Sequence, residues 1–169
     1  VLRYTAEGVP DTCFGTGGIV TTDVVMESTD YGYAVAVQPD GKIVVAGGAW
    51  GGKFAVVRYN ADGTLDVNFG NDGIATAVVG NAYDAYNMPY ALALQPDGKI
   101  LVAGSANNGA NLDFAVVRFN ADGALDPGFG TNGQLSTRFA YFNQDYNDIA
   151  NALALQPDGK ILVAGKAQL

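Results

Sequence analysis

Histidine is absent from this chain, and cysteine occurs only once, at Cys13. The lack of histidine excludes serine–histidine and cysteine–histidine catalysis, and it excludes metal sites built on imidazole. A single cysteine excludes an internal disulfide framework. We therefore expect a non-catalytic protein without a resident cofactor.

Positive charge is scarce as well. The 169 residues include 9 lysines and arginines against 17 aspartates and glutamates, which gives a formal net charge of −8. Such a field repels phosphate backbones and anionic lipids, so we expect no nucleic-acid partner and no membrane partner. No apolar run approaches the ~20 residues that would span a bilayer. No charged n-region or signal-peptide core precedes the first apolar run, which leaves a mature product, a trimmed chain and an intracellular protein all open.

Glycine is abundant, with 23 residues, as is typical of short strands joined by tight turns. The phrase Gln-Pro-Asp-Gly-Lys occurs three times, starting at Gln38, Gln95 and Gln156. The copies are separated by about 60 residues, a period that suits a four-stranded propeller blade better than a helical or leucine-rich repeat. The chain is therefore predicted to consist of structural repeats.

A second phrase follows the same period. Arg-Tyr-Asn-Ala-Asp-Gly begins at Arg58, Arg-Phe-Asn-Ala-Asp-Gly begins at Arg118, and a decayed copy begins at Arg3. Each is followed by a loop that contains Phe-Gly. One repeat thus contains an apolar strand, a Pro-Asp-Gly turn, a second strand, a variable loop, a third strand with its own turn, and an alternating outer strand. This order predicts an all-β fold, a β-propeller of four-stranded antiparallel blades.

These phrases, in this order, resemble the delta-60 repeat family of bacterial β-propeller domains. The resemblance extends over essentially the whole chain. It implies β-propeller modules that often belong to large secreted or cell-surface proteins and that have no established general activity. A secreted or cell-surface location is the corresponding expectation.

The phase of the repeats predicts three blade equivalents. Residues 1–25 correspond to the C-terminal half of a blade, 31–79 and 88–139 to full blades, and 150–165 to the N-terminal half of another. Because propeller rings have about four to eight blades, three cannot close. Two chains related by a two-fold axis would give a six-bladed ring with two composite blades. The competing interpretation is a fragment of a longer repeat array.

Comparison of the repeats indicates where a ligand would bind. The turns after the first and third strands are nearly constant, whereas the other two connections diverge in sequence and length. Alternate connections of an up-and-down blade share one face, so the divergent loops should lie together on a rigid scaffold. Aromatic rings beside amides and carboxylates suit a carbohydrate or protein ligand; simple drift of surface loops is the alternative. The candidate ligand-binding residues are Trp50, Tyr31, Tyr86, Asn107, Asn108 and Tyr146.

Most of the repeated acidic residues are predicted to be structural. The aspartate in each Pro-Asp-Gly turn should stabilise that turn. The aspartates that precede Phe-Gly should accept backbone amides and pair with the repeated arginines; these are Asp11, Asp66 and Asp126 with Arg3, Arg58 and Arg118. Weak candidates for Ca²⁺ ligation are the closely spaced Asp145, Asn147 and Asp148.

Two further functions remain open. One is a calcium-dependent, lactonase-like hydrolase, which would need oxygen ligands that converge at the starts of the innermost strands. The available side chains are expected to occupy different offsets within their repeats, which counts against this function; they are Asp30, Asn87, Asp148 and Asn151. The other is a purely structural segment of a larger surface protein, which would bind no ligand.

Overall fold

The computed structural model describes residues 1–26, 28–80, 87–139 and 147–167. Within these ranges all the regular elements are β-strands, which confirms the all-β prediction, and no helix is long and apolar enough to cross a membrane. The ten strands are β1 (Tyr31–Val37), β2 (Ile43–Ala49), β3 (Lys53–Tyr59), β4 (Ile74–Val78), β5 (Met88–Leu94), β6 (Ile100–Asn107), β7 (Leu112–Phe119), β8 (Gln134–Thr137), β9 (Ile149–Leu155) and β10 (Ile161–Lys166).

The strands form three antiparallel sheets in chain order. The first sheet is β1-β2-β3-β4, the second is β5-β6-β7-β8, and the third has the two strands β9 and β10. The two complete sheets share one register, in which Ile43 lies opposite Tyr59 and Ile100 lies opposite Phe119. Four-stranded antiparallel sheets are therefore confirmed as the repeating unit.

The turn between the first two strands has the same geometry in every repeat. Gly41, Gly98 and Gly159 each have φ of 84°, in the left-handed region that favours glycine. The aspartate before each glycine accepts a backbone amide two residues on, as Lys42 N donates to Asp40 Oδ1 at 3.2 Å. The other two copies repeat this bond. The prediction that these aspartates are turn residues is confirmed.

The apolar core lies between the sheets. The first strands β1, β5 and β9 lie side by side in space, which makes them the inner strands. Val44, Phe54 and Val56 of the first sheet pack against Ile100 and Phe119 of the second, and all five are fully buried. Each such side chain contributes about 1.5–3 kcal/mol through burial. Packing between sheets, rather than within one, therefore stabilises the arrangement.

A repeated contact, which we name the interlock, joins successive sheets. Arg58 Nε donates to Asp66 Oδ2 of its own repeat at 2.7 Å, and the guanidinium lies 4.5 Å from the centre of the Phe69 ring. Arg58 Nη1 donates to the carbonyl of Ala121 in the next repeat at 2.7 Å. The amide of Gly70 donates to the carbonyl of Asp122 at 2.7 Å. One arginine thus fixes its own loop and the turn of the following repeat.

The N-terminal segment forms the same interlock with the first sheet. Arg3 pairs with Asp11 at 2.9 Å, stacks on Phe14 and donates to the carbonyl of Ala61. Arg118 likewise pairs with Asp126 at 2.8 Å. The predicted pairing of the repeated arginines with the loop aspartates is confirmed in all three copies. The aspartates also accept backbone amides, as Asp11 does from Cys13.

Residues 1–26 are held by isolated bridges rather than by a continuous ladder. Leu2 bridges Ile19 and Tyr4 bridges Pro10. The amide of Arg3 donates to the carbonyl of Gly18 at 2.9 Å. This pair of chain segments is therefore hydrogen-bonded on one side, and in the described residues no strand lies against its other edge.

Candidate ligand-binding face

Asn87 connects described parts of the divergent connections. Its Nδ2 donates to the carbonyl of Gly52 at 3.2 Å and to that of Val79 at 2.8 Å. Its Oδ1 accepts the amide of Asn107 at 2.6 Å. Asn87 is buried, so these bonds are shielded from water and tie the β2–β3 connection to the end of β6.

A cavity of about 330 Å³ opens beside the β2–β3 connection. At the rim of this cavity, Trp50 is 62% exposed and Tyr31 is 50% exposed. Gly51 and Gly52, with φ of 82° and 66°, allow the tight connection that presents Trp50. The remaining lining residues are Thr29, Gly48, Ala49, Asn87 and Met88. The structure therefore brings together two of the six candidates, Trp50 and Tyr31.

An aromatic row continues from this cavity along the inner strands. The rings of Tyr31 and Tyr33 stack with centroids 6.0 Å apart, and Tyr90 meets Tyr33 edge-on at 5.3 Å. The hydroxyl of Tyr33 donates to Met88 Sδ at 3.4 Å. Burial, and then the neighbouring Tyr90 and Tyr31, raises the pKa of Tyr33 above its usual value.

Sequence reasoning missed Tyr33 and Tyr90 as members of this surface. Both occupy the same position relative to the Gln-Pro-Asp-Gly-Lys phrase, one in β1 and one in β5. Alignment of the repeats on that phrase would have found them. Asn151 occupies the equivalent position in β9, so the aromatic row does not continue into the third sheet.

Asn107 and Asn108 mainly hold their own loop. Asn107 Oδ1 accepts the amide of Gly109 at 2.6 Å. Asn108 Oδ1 accepts the amide of Ala110 at 2.9 Å, and its Nδ2 donates to Asp113 Oδ2 at 2.9 Å. Neither side chain lines the cavity beside Trp50. The other two candidates, Tyr86 and Tyr146, lie outside the described residues.

The weak calcium candidates are bonded to backbone where the structure describes them. Asn147 Oδ1 accepts the amide of Leu112 at 3.0 Å, and Asp148 Oδ2 accepts the amide of Phe139 at 2.9 Å. Asp145 lies outside the described residues. In the ranges that are described, no three histidine, cysteine, aspartate or glutamate side chains form a group that could hold a metal ion.

The expectation that the inner oxygen ligands stand at different offsets is wrong for three of the four. Asp30, Asn87 and Asp148 each come immediately before the first strand of a sheet. Asp30 Oδ2 accepts the amide of Val24 at 2.7 Å, as the other two also accept backbone amides. This position therefore fastens the incoming connection to the start of each sheet.

Comparison with protein families finds a match in three stretches of the chain. A family model described as a domain of unknown function (DUF5122) beta-propeller matches residues 38–69, 95–129 and 156–168. No curated protein and no solved structure matches the chain. The three matched stretches begin at the three Gln-Pro-Asp-Gly-Lys phrases. The chain is therefore an all-β protein with antiparallel four-stranded sheets, and it is similar to a family of β-propeller domains.

Proposed function

We propose that this protein is a non-catalytic propeller scaffold that recognises a carbohydrate or protein ligand on the face that carries the divergent loops. The observation that supports this function best is the cavity of about 330 Å³ with Trp50 and Tyr31 at its rim. Its volume falls in the range of small-molecule sites, ~300–1,000 Å³. An exposed tryptophan held by a short loop on a rigid sheet is a suitable binding platform.

The chemistry of the cavity favours a neutral ligand with a flat apolar face. A sugar ring can stack on Trp50 while its hydroxyls bond to Thr29 or to backbone groups of the loop. The side chain of Asn87 already bonds three backbone groups, so it shapes the cavity and is a poor donor for a ligand. The formal charge of −8 disfavours anionic ligands. An apolar peptide side chain is the other occupant that fits.

A binding screen with a matched variant tests this function. The native chain would be applied to neutral oligosaccharides and to a peptide array, and hits would be titrated by calorimetry. We expect Trp50→Ala to weaken the best ligand at least tenfold, about 1.4 kcal/mol. Val67→Ala, which also truncates an exposed apolar side chain but lies in the β3–β4 connection, should bind normally. Equal affinity of native chain and Trp50→Ala for every ligand would reject the site.

The resemblance of the repeats to the delta-60 family and the phase of the repeats support more specific assignments. We infer that the repeats are of the delta-60 type, that the source is bacterial, and that the protein is secreted or displayed at the cell surface. We also infer that it works as a six-bladed ring of two chains. A purely structural segment of a larger surface protein is the alternative, and complete absence of ligands in the screen would favour it.

A calcium-dependent hydrolase is supported by one observation. Asp148 is fully buried, and its Oδ1 has no hydrogen-bond partner among the described residues. A bound cation could satisfy this oxygen. The test is thermal unfolding in millimolar Ca²⁺ and in chelator, with Asp148→Asn as the variant. A higher melting temperature with Ca²⁺, lost in Asp148→Asn, would establish the cation site that the hydrolase needs; identical melting curves would reject this function.

A further inference from the structure

The third sheet exposes side chains that the other two sheets bury. Leu162 of β10 is 53% exposed, whereas Val44 and Leu101, at the same position of β2 and β6, are completely buried. In the complete sheets this strand pairs with a third strand on its outer side. In the described residues β10 pairs only with β9, so its outer edge carries unpaired backbone groups.

The N-terminal segment exposes the matching side chains. It carries the third-strand phrase that starts at Arg3, and the neighbouring Leu2 and Tyr4 are 45% and 56% exposed. At the same positions of the first complete sheet, Val57 and Tyr59 are buried. Among the described residues, β10 therefore has no third strand beside it, and the N-terminal segment has no second strand beside it.

We propose that the N-terminal segment of a second copy of this chain adds to β10 as its third strand, and that the contact is reciprocal. The register follows from the complete sheets, where Val44 lies opposite Arg58 and Val45 opposite Val57. Leu162 would then lie opposite the partner's Arg3 and Val163 opposite the partner's Leu2. Two such contacts around a two-fold axis give two composite four-stranded sheets.

Ion pairs provide an independent match between the two ends. In the complete sheets the lysine of the Pro-Asp-Gly-Lys turn bonds the loop aspartate, Lys42 to Asp66 at 2.8 Å and Lys99 to Asp126 at 3.0 Å. Lys160 pairs instead with the aspartate of its own turn. Among the described residues Asp11 has an arginine partner, Arg3, and no lysine partner. In the dimer, Lys160 would pair with the partner's Asp11, which reproduces the lysine–aspartate pair of the complete sheets.

The interlock is incomplete at the same place. Arg58 Nη1 and the amide of Gly70 donate to the turn of the following repeat. Their counterparts, Arg118 Nη1 and the amide of Gly130, have no recorded acceptor within the described residues. The matching turn in this chain is Ala6-Glu7-Gly8. In the dimer, the backbone carbonyls of the partner's Ala6 and the partner's Glu7 would accept these two bonds.

Two open clefts have the apolar lining that the exposed side chains require. One, of about 220 Å³, lies between the second and third sheets and includes Phe114, Val116 and Val163. By the register above, the partner's Leu2 and Tyr4 would enter it. The other, of about 300 Å³, lies between the N-terminal segment and the first sheet and includes Val45 and Val57. The partner's Leu162 would enter that cleft.

Disulfide trapping tests the register directly. Ala46 lies opposite Val56 in the first sheet, so Ala164→Cys should lie opposite the partner's Val1→Cys. Both changes would be made in one chain with Cys13→Ser and oxidised mildly. The control, Val163→Cys with Val1→Cys, moves one thiol by a residue to the other face of the strand. We expect a covalent dimer, twice the 17.5 kDa of the chain, from the first pair and not from the control.

Each other outcome overturns the proposal. A monomer with an internal disulfide would mean that the ends pair within one chain, and a ladder beyond the dimer would mean an open, head-to-tail contact. If the test pair forms no more disulfide than the control and light scattering gives the mass of a monomer, the second copy is not the partner of β10. Residues of a longer protein would then be the candidates for its third strand. The assembly is independent of the ligand, so a trapped dimer that binds no ligand would keep the interface and reject the recognition function.

Gly8→Ala gives a second measurement that does not rely on engineered thiols. An added Cβ at Gly8 meets no atom within 4 Å, whereas at Gly123 it would lie 2.7 Å from the amide of Gly70. In the dimer Gly8 would face the partner's Gly130 in the same way. We expect Gly8→Ala to raise the dimer dissociation constant at least tenfold, while Gly17→Ala, equally open and with φ of 62°, leaves it unchanged. An unchanged dissociation constant for Gly8→Ala would contradict the interface.

Discussion

The second strands of the second and third sheets contain the same five residues, but the burial of these residues differs between the two sheets. Ile-Leu-Val-Ala-Gly starts at Ile100 in β6 and again at Ile161 in β10. In β6 the leucine lies in the core between the second and third sheets and is buried; in β10, which no further sheet covers among the described residues, it is exposed. Identical local sequence therefore specifies the strand and its turn, while the neighbouring sheet decides whether each side chain is buried and how much it stabilises the fold.

The contacts that stabilise the first two sheets also differ from those that stabilise the third sheet. The first and second sheets are joined by core packing and by the interlock from Arg58 to Ala121. The third sheet packs on the second through Ile161 and Val163 and carries no interlock to a following repeat in the described residues. We therefore expect the complete pair to unfold as a cooperative unit, with the third sheet as the least stable part of a separated chain.

The largest effect is expected from the comparison of Leu101 in the second sheet with Leu162 in the third sheet. At concentrations where the chain is monomeric, Leu101→Ala should lower the free energy of unfolding by about 3–4 kcal/mol, because it leaves a cavity in a closed core. Leu162→Ala should change it by less than about 0.5 kcal/mol. Urea unfolding of both variants measures the difference. Equal losses would mean that Leu162 is buried in the monomer, contrary to its exposure.

The arginines of the interlock sharpen the comparison. Arg58 and Arg118 have the same aspartate and phenylalanine partners in their own repeats, but only Arg58 has a recorded bond to a following turn. Arg58→Ala should therefore lower the free energy of unfolding by about 2–3 kcal/mol, and Arg118→Ala by about 1 kcal/mol less. Denaturant unfolding of both variants at low concentration measures this. Identical effects would show that the bond between repeats contributes nothing.

Acid should weaken the complete sheets by a smaller amount. The hydrogen bond from Lys42 lowers the pKa of Asp66, and that from Lys99 lowers the pKa of Asp126. A lowered folded-state pKa adds stability that is present above the unfolded value of about 4 and is lost as pH falls through the folded-state pKa. The melting temperature should therefore decline below about pH 4.

Lys42→Gln separates this effect from general acid unfolding. Without the lysine, the pKa of Asp66 should rise toward its usual value, so the window between the folded and unfolded pKa narrows and the loss of stability on acidification becomes smaller. Lys53→Gln makes the same change of charge outside the Asp66 network and serves as control. Melting curves that shift equally in both variants would assign the effect to net charge alone.

Much of the fold could be predicted because its determinants are local. Pro-Asp-Gly sets each turn through a fixed φ at proline, an accepting carboxylate and a left-handed glycine. The pairs Arg3–Asp11, Arg58–Asp66 and Arg118–Asp126 could be predicted because both partners recur at one spacing. The site was predicted only in part. Trp50 and Tyr31 meet at one cavity, whereas Asn108 is used by its own loop.

The sequence by itself determined the repeat, its turns and the strand order, since each depends on residues close together in the chain. The tertiary structure decided which copies of a strand are buried, that Asn87 ties two loops together, and that Tyr33 and Tyr90 extend the aromatic surface. These features depend on which sheet lies beside which. Burial and long-range hydrogen bonds arise between segments far apart in the chain, so the repeated phrases alone do not specify them.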